Sequence, residues 1–130
     1  GRSQAKFAGG DVTYPDIFGR DLLRGVDVAM EIKSPRAGES VASHFQKWEV
    51  ASWILEQHGG RVSHLPATAE YYLVVDLRAC GQTAAEALAD LSRVLRNYAG
   101  RGDVRNFWDG VRFLEGSWRA PTLSAPVVIP

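Results

Sequence analysis

Residues 26–33 alternate between apolar and polar or small side chains. Val28, Met30 and Ile32 fall on one side of an extended strand, and Asp27, Ala29, Glu31 and Lys33 fall on the other. The alternation predicts a strand with one face in the core and one face carrying charge. Upstream, residues 11–25 mix β-forming residues with turn residues at Gly19 and Gly25, which predicts short strands joined by a tight connection. Downstream, Ser34-Pro35-Arg36-Ala37-Gly38 stops the strand, because proline lacks a ladder donor and glycine permits a turn.

The spacing then changes. Over residues 41–57, Val41, Phe45, Trp48 and Leu55 recur at helical intervals, with Ser40 placed to cap the start and Gly59-Gly60 to end it. One helix with Trp48 in the core is predicted. Residues 71–77, Tyr-Tyr-Leu-Val-Val-Asp-Leu, form a nearly continuous apolar run with one acid, the pattern of a central strand covered by helices on both faces. A second helix is predicted over 83–98, with Ala84, Leu88, Leu91, Leu95 and Tyr98 on one stripe and Thr83-x-x-Glu86 as a capping box.

Less regular segments lie between and outside these. Residues 61–70 admit a short strand or a loop, and 101–118 admit a short helix or a hairpin. Residues 1–10 read as a loose Gly-rich arm pinned by Phe7, and 120–130, with three of the six prolines, as an extended tail. The element order predicts an α/β domain, a small mixed central sheet flanked by helices.

Composition narrows the class. A chain of 130 residues fits one domain, and 45% hydrophobic with 23% charged residues excludes a disordered or fibrous protein. No apolar run approaches the roughly 18 residues of a membrane-spanning helix. The lone Cys80 makes no internal disulfide and reads as a small buried apolar residue. Gly1, with no leader after it, suggests a piece excised from a longer chain. Fifteen Lys and Arg against fifteen Asp and Glu leave no net charge, which argues against gripping nucleic acid by bulk attraction. Arg93, Arg96, Arg101, Arg105 and Arg112 bias the last third towards the basic, either as a binding patch or as a solvated helix face.

One set of polar residues suggests chemistry. Phosphodiester hydrolysis needs carboxylates to hold a divalent ion and a cation to orient the nucleophile. Glu31 and Lys33, two apart on a strand, point to one side, and Asp16 converges on them if the preceding segment packs antiparallel. The competing reading is a surface turn beside a salt bridge.

Pro15-Asp16, fourteen intervening residues, then Glu31-Ile32-Lys33 resembles the motif of the PD-(D/E)xK nuclease superfamily. The likeness covers residues 11–98 and implies a restriction-endonuclease-like core. Within that superfamily, the runs EIKSP and YYLVVDLR resemble the C-terminal toxin nucleases of bacterial contact-dependent inhibition proteins. The resemblance implies a metal-dependent endonuclease in which Asp16, Glu31 and the Ile32 carbonyl bind Mg²⁺ or a similar ion and Lys33 orients water. It also implies cleavage of tRNA in preference to DNA, and neutralisation by a cognate immunity protein. The parent would be a secreted or cell-surface bacterial protein whose excised C-terminal domain acts in the cytoplasm of a target cell. Asp27, on the same strand face as Glu31, competes with Asp16 for the first metal carboxylate.

Other residues stand nearby. His44 follows the active strand, but His44, His58 and His64 lack zinc-ligand spacing. Gln46 and Lys47 sit where a polar side chain can reach a phosphate, or else form a solvated helix turn. Trp108 and Trp118 are candidates for stacking on bases. A DNA-cleaving nuclease and a non-catalytic binding domain of the same layered fold remain the alternatives, and both Glu31 and Lys33 are expected outside the core.

Overall fold

The computed structural model describes residues 16–61, 66 and 68–130. The expected N-terminal arm, Pro15 and His64 lie outside the described residues, as does most of the segment preceding Glu70. The structure is a mixed α/β fold built on one five-stranded sheet, ordered β1-β2-β3-β4-β5. β1 (Ile17–Asp21) and β2 (Val26–Lys33) form an antiparallel hairpin. β3 (Glu70–Asp76) and β4 (Gly110–Gly116) add in parallel to β2, and β5 (Pro121–Leu123) closes the far edge antiparallel.

Period-two alternation in β2 is present, but its faces are the reverse of those predicted. Ala29 and Glu31 are buried, whereas Val28, Met30 and Ile32 are only half-buried. The reason is register. Glu31 pairs with Leu73 and Lys33 with Val75, which continue across the sheet to Val111 and Phe113. These apolar neighbours form the face on which the helices pack, so β2 must put its charged face under them. The core joins Ala29, Leu73, Val75, Val111 and Phe113 to Phe45, Ile54, Leu91 and Leu95. β3 is central, yet helices cover only this side among the described residues. On the other, Val28, Met30 and Tyr72 floor an open cavity of about 430 Å³, lined entirely by strand and loop residues that include Arg20, Arg24 and Arg112.

The first predicted helix is two. α1 (Val41–Gln46) starts at Ser40, whose side chain and that of Ser43 make a reciprocal capping box. Lys47 then adopts an extended conformation (φ −63°, ψ 137°), and α2 (Trp48–Arg61) continues through the glycines expected to stop it. Phe45 and Ile54 are 0% and 1% exposed. In an unbroken helix nine residues turn about 180° relative to one another, which would place these two side chains on opposite faces. The break at Lys47 lets both enter one core. It also turns Trp48 out to 72% exposure, contrary to the core position expected of it.

α3 (Ala84–Leu95) begins with the predicted Thr83–Glu86 capping box and ends three residues before Tyr98, which caps the core from a following turn. The Tyr98 hydroxyl donates to the Phe45 carbonyl at 2.7 Å, tying the end of this segment to α1. Residues 101–118 hold both alternatives: a short 3₁₀ helix, Arg105–Phe107, and then β4, which forms an antiparallel hairpin with β5 just beyond residue 118. The tail is extended as expected and joins the sheet through β5 and a bridge from Val127 to Val111, with Ile129 in the core. Cys80 is half-buried against that core. No described helix is long and apolar enough to cross a membrane.

Candidate active site

Asp16 immediately precedes β1, whose register begins with Ile17 opposite Met30. Its Oδ2 accepts a hydrogen bond from the Ile32 N–H at 2.8 Å. This holds the carboxylate at the end of β2, next to the residue that separates Glu31 from Lys33. The Ile32 carbonyl lies on the same edge of the strand as its N–H, because a strand residue presents both groups to one neighbour. On the helix-covered face, Lys33 Nζ stands 3.2 Å from Glu31 Oε1, with the two side chains 13% and 4% exposed. This corrects the expectation that both lie outside the core; the apolar residues beside them in β3 put them within it.

Asp27 is elsewhere. It pairs with Arg20 at 3.1 Å on the partly exposed β1–β2 hairpin, four residues and about 13 Å along the strand from Glu31. The structure therefore brings Asp16, and not Asp27, to Ile32.

A second charged group adjoins the first. Glu39, in the turn before α1, takes Lys47 Nζ at 2.9 Å, His44 Nδ1 at 3.3 Å and the Arg36 N–H at 2.7 Å. The Lys47 ammonium is the chief reason its carboxyl falls to about 2, helped by the Arg36 amide. His44 is buried, and desolvation lowers its pKa. Glu39 opposes that shift, while the positive charges of Lys47 and Lys33 reinforce it. The reach of the Lys33 charge to His44 places the imidazole within the electrostatic range of the Glu31–Lys33 pair. Sequence reasoning missed Glu39, although an acid just ahead of a helix cap is a legible signal. Gln46 turns away, lining an opening of about 250 Å³ between α1 and the α3 end with Arg93, Asn97 and Tyr98.

The five arginines of the last third do not make one patch. Arg105 pairs with Asp103 and Arg93 with Asp90. Arg112 lies in the cavity on the opposite face of the sheet, its Nε donating to the Ser124 carbonyl. Trp108 is 4% exposed and closed to a base, whereas Trp118 is 67% exposed.

Asp16, Glu31 and the Ile32 carbonyl are hard oxygen donors, a set that suits Mg²⁺ better than a soft ion. Among the described residues no three His, Cys, Asp or Glu side chains cluster as metal ligands. No family model, curated protein or solved structure matches the chain.

Proposed function

We propose that the chain is a metal-dependent nuclease of the PD-(D/E)xK kind, the toxin part of a contact-dependent inhibition protein, cleaving tRNA and held in check by an immunity protein. The observation that carries the reading is the hydrogen bond from Ile32 to Asp16, which sets a carboxylate beside the Glu31–Lys33 pair from a distant point in the chain. The likeness of EIKSP and YYLVVDLR supports the toxin assignment, and zero net charge disfavours a grip on long duplex DNA.

Asp16 and Glu31 would supply the negative charge that retains a divalent cation, with the Ile32 carbonyl completing the oxygen set. When bound, that ion would polarise the scissile phosphate and acidify a water molecule. Lys33, anchored on Glu31, would donate a hydrogen bond to the attacking water and offset charge building on the phosphate oxygens. Burial of the pair keeps competing water away and strengthens each of these interactions.

Glu31, at 3% exposure, also suits an internal ion pair in a non-catalytic binding domain. Incubation with total tRNA, plasmid and single-stranded DNA, each with Mg²⁺ and with EDTA, separates the two readings when the Glu31→Gln protein is run alongside. Cleavage that requires both metal and Glu31 identifies the nuclease and its substrate. A folded protein that cuts none of the three leaves the binding domain as the better account.

A further inference from the structure

Asp76 ends β3, and Trp118 lies in the turn between β4 and β5. The Asp76 side chain, in a residue only 7% exposed, accepts from Arg78 three times: the main-chain N–H at 3.0 Å, Nε at 2.9 Å and Nη2 at 2.8 Å. This fork fixes the plane of the guanidinium. The Arg78 Cζ lies 4.2 Å from the centre of the Trp118 ring, so the indole rests on a braced cation. The turn that carries it is equally constrained. Gly116 has φ +90°, and a Cβ there would fall 2.8 Å from the Ala120 oxygen. Ser117 Oγ accepts from the Ala120 N–H at 3.0 Å.

The result is a large aromatic ring held in place while two thirds exposed, at 67%. A ring that served only to pack would be expected to turn its second face inwards. Its position matters as much. β2, β3 and β4 run parallel, so their carboxyl ends share one edge of the sheet, where open α/β sheets take their ligands. Lys33 pairs with Val75, the neighbour of Asp76, so the Lys33 and Asp76 backbones are about 6 Å apart at this end of the sheet while their side chains leave it on opposite faces. Arg119, next in the chain, is exposed and makes no ion pair among the described residues.

We infer that Trp118, braced by Arg78 and Asp76, is a stacking platform for an unpaired nucleobase of the substrate strand, at the same carboxyl end of the sheet as Lys33. The inference rests on the nuclease reading. Every base has a π-face, so the platform takes RNA or DNA, provided that the base is unstacked from its neighbours.

The test is equilibrium binding of the Glu31→Gln protein to a short labelled single-stranded RNA, its DNA counterpart and an abasic strand of equal length. Adding Trp118→Ala to that protein is expected to weaken binding of a base-bearing strand roughly five- to a hundredfold. Trp118→Phe should retain most of the affinity, and the abasic strand should bind equally well with or without the Trp118→Ala change. Unchanged affinity in Trp118→Ala, or an abasic strand held as tightly as RNA and DNA, overturns the platform while the nuclease reading stands. If the Glu31→Gln protein binds no strand at all, the platform falls, and cleavage by the parent protein still decides the nuclease reading.

Discussion

The Asp16 carboxylate and the Ile32 amide, sixteen residues apart, are joined by a 2.8 Å hydrogen bond that holds the aspartate against the strand bearing Glu31 and Lys33. Asp27 is instead committed to Arg20. Asp16→Asn keeps an oxygen for the Ile32 amide but removes the charge that would retain a cation. Metal-dependent cleavage should fall about a hundredfold or more, with little change in melting temperature. Asp27→Asn should cleave at the parent rate and lose about 0–1 kcal/mol of stability. The reverse order of the two rates would transfer the metal role to Asp27.

Burial of the Glu31–Lys33 pair makes truncation of Glu31 costly. Removing Glu31 strands the Lys33 ammonium under the helices, so Glu31→Ala should lose about 3–5 kcal/mol in urea unfolding. A Glu31→Gln, Lys33→Met double variant should recover part of that loss and stay inactive. A Glu31→Ala protein as stable as the parent would show that water reaches the pair.

His44 gives stability a distinct acid limb. Burial lowers its folded pKa below the usual 6.5, so the unfolded chain binds the extra proton first. Its contribution is therefore intact above about pH 6.5 and declines as pH drops towards the folded value. His44→Gln should flatten the stability profile just below pH 6.5. Glu39, lowered from 4.5 to about 2, acts in a separate window below pH 4.5. A profile equally steep in His44→Gln would assign that limb to another group.

Tyr98 closes the core with its hydroxyl on the Phe45 carbonyl. Tyr98→Phe leaves that buried carbonyl without its donor and should cost about 1–3 kcal/mol, read as a lower urea midpoint with an unchanged slope. A change below about 0.5 kcal/mol would mean that solvent satisfies the carbonyl.

Local chemistry was legible wherever it depended on neighbours in sequence. Ser40 and Thr83 announce their helices because a cap needs only the next three residues. The β2 and β3 strands follow from alternation and from an apolar run, and the placing of Glu31 and Lys33 on one face of β2 from their two-residue spacing. β4 was open to the same reading, since Val111 and Phe113 alternate with Arg112, but its turn-rich flanks masked it.

Tertiary structure decided the rest. Alternation sorts the residues of β2 into two faces without saying which one the helices cover; the pairing of Glu31 with Leu73 settled that. Helical spacing cannot show that Phe45 and Ile54 must share one core, and that demand breaks the helix at Lys47 and exposes Trp48. The joining of Asp16 to Ile32, and of Trp118 to Arg78, is likewise invisible along the chain. Sequence determines which residues have the propensity and charge for a role, because those are local properties; packing decides which of them meet, because contact depends on burying one shared apolar surface.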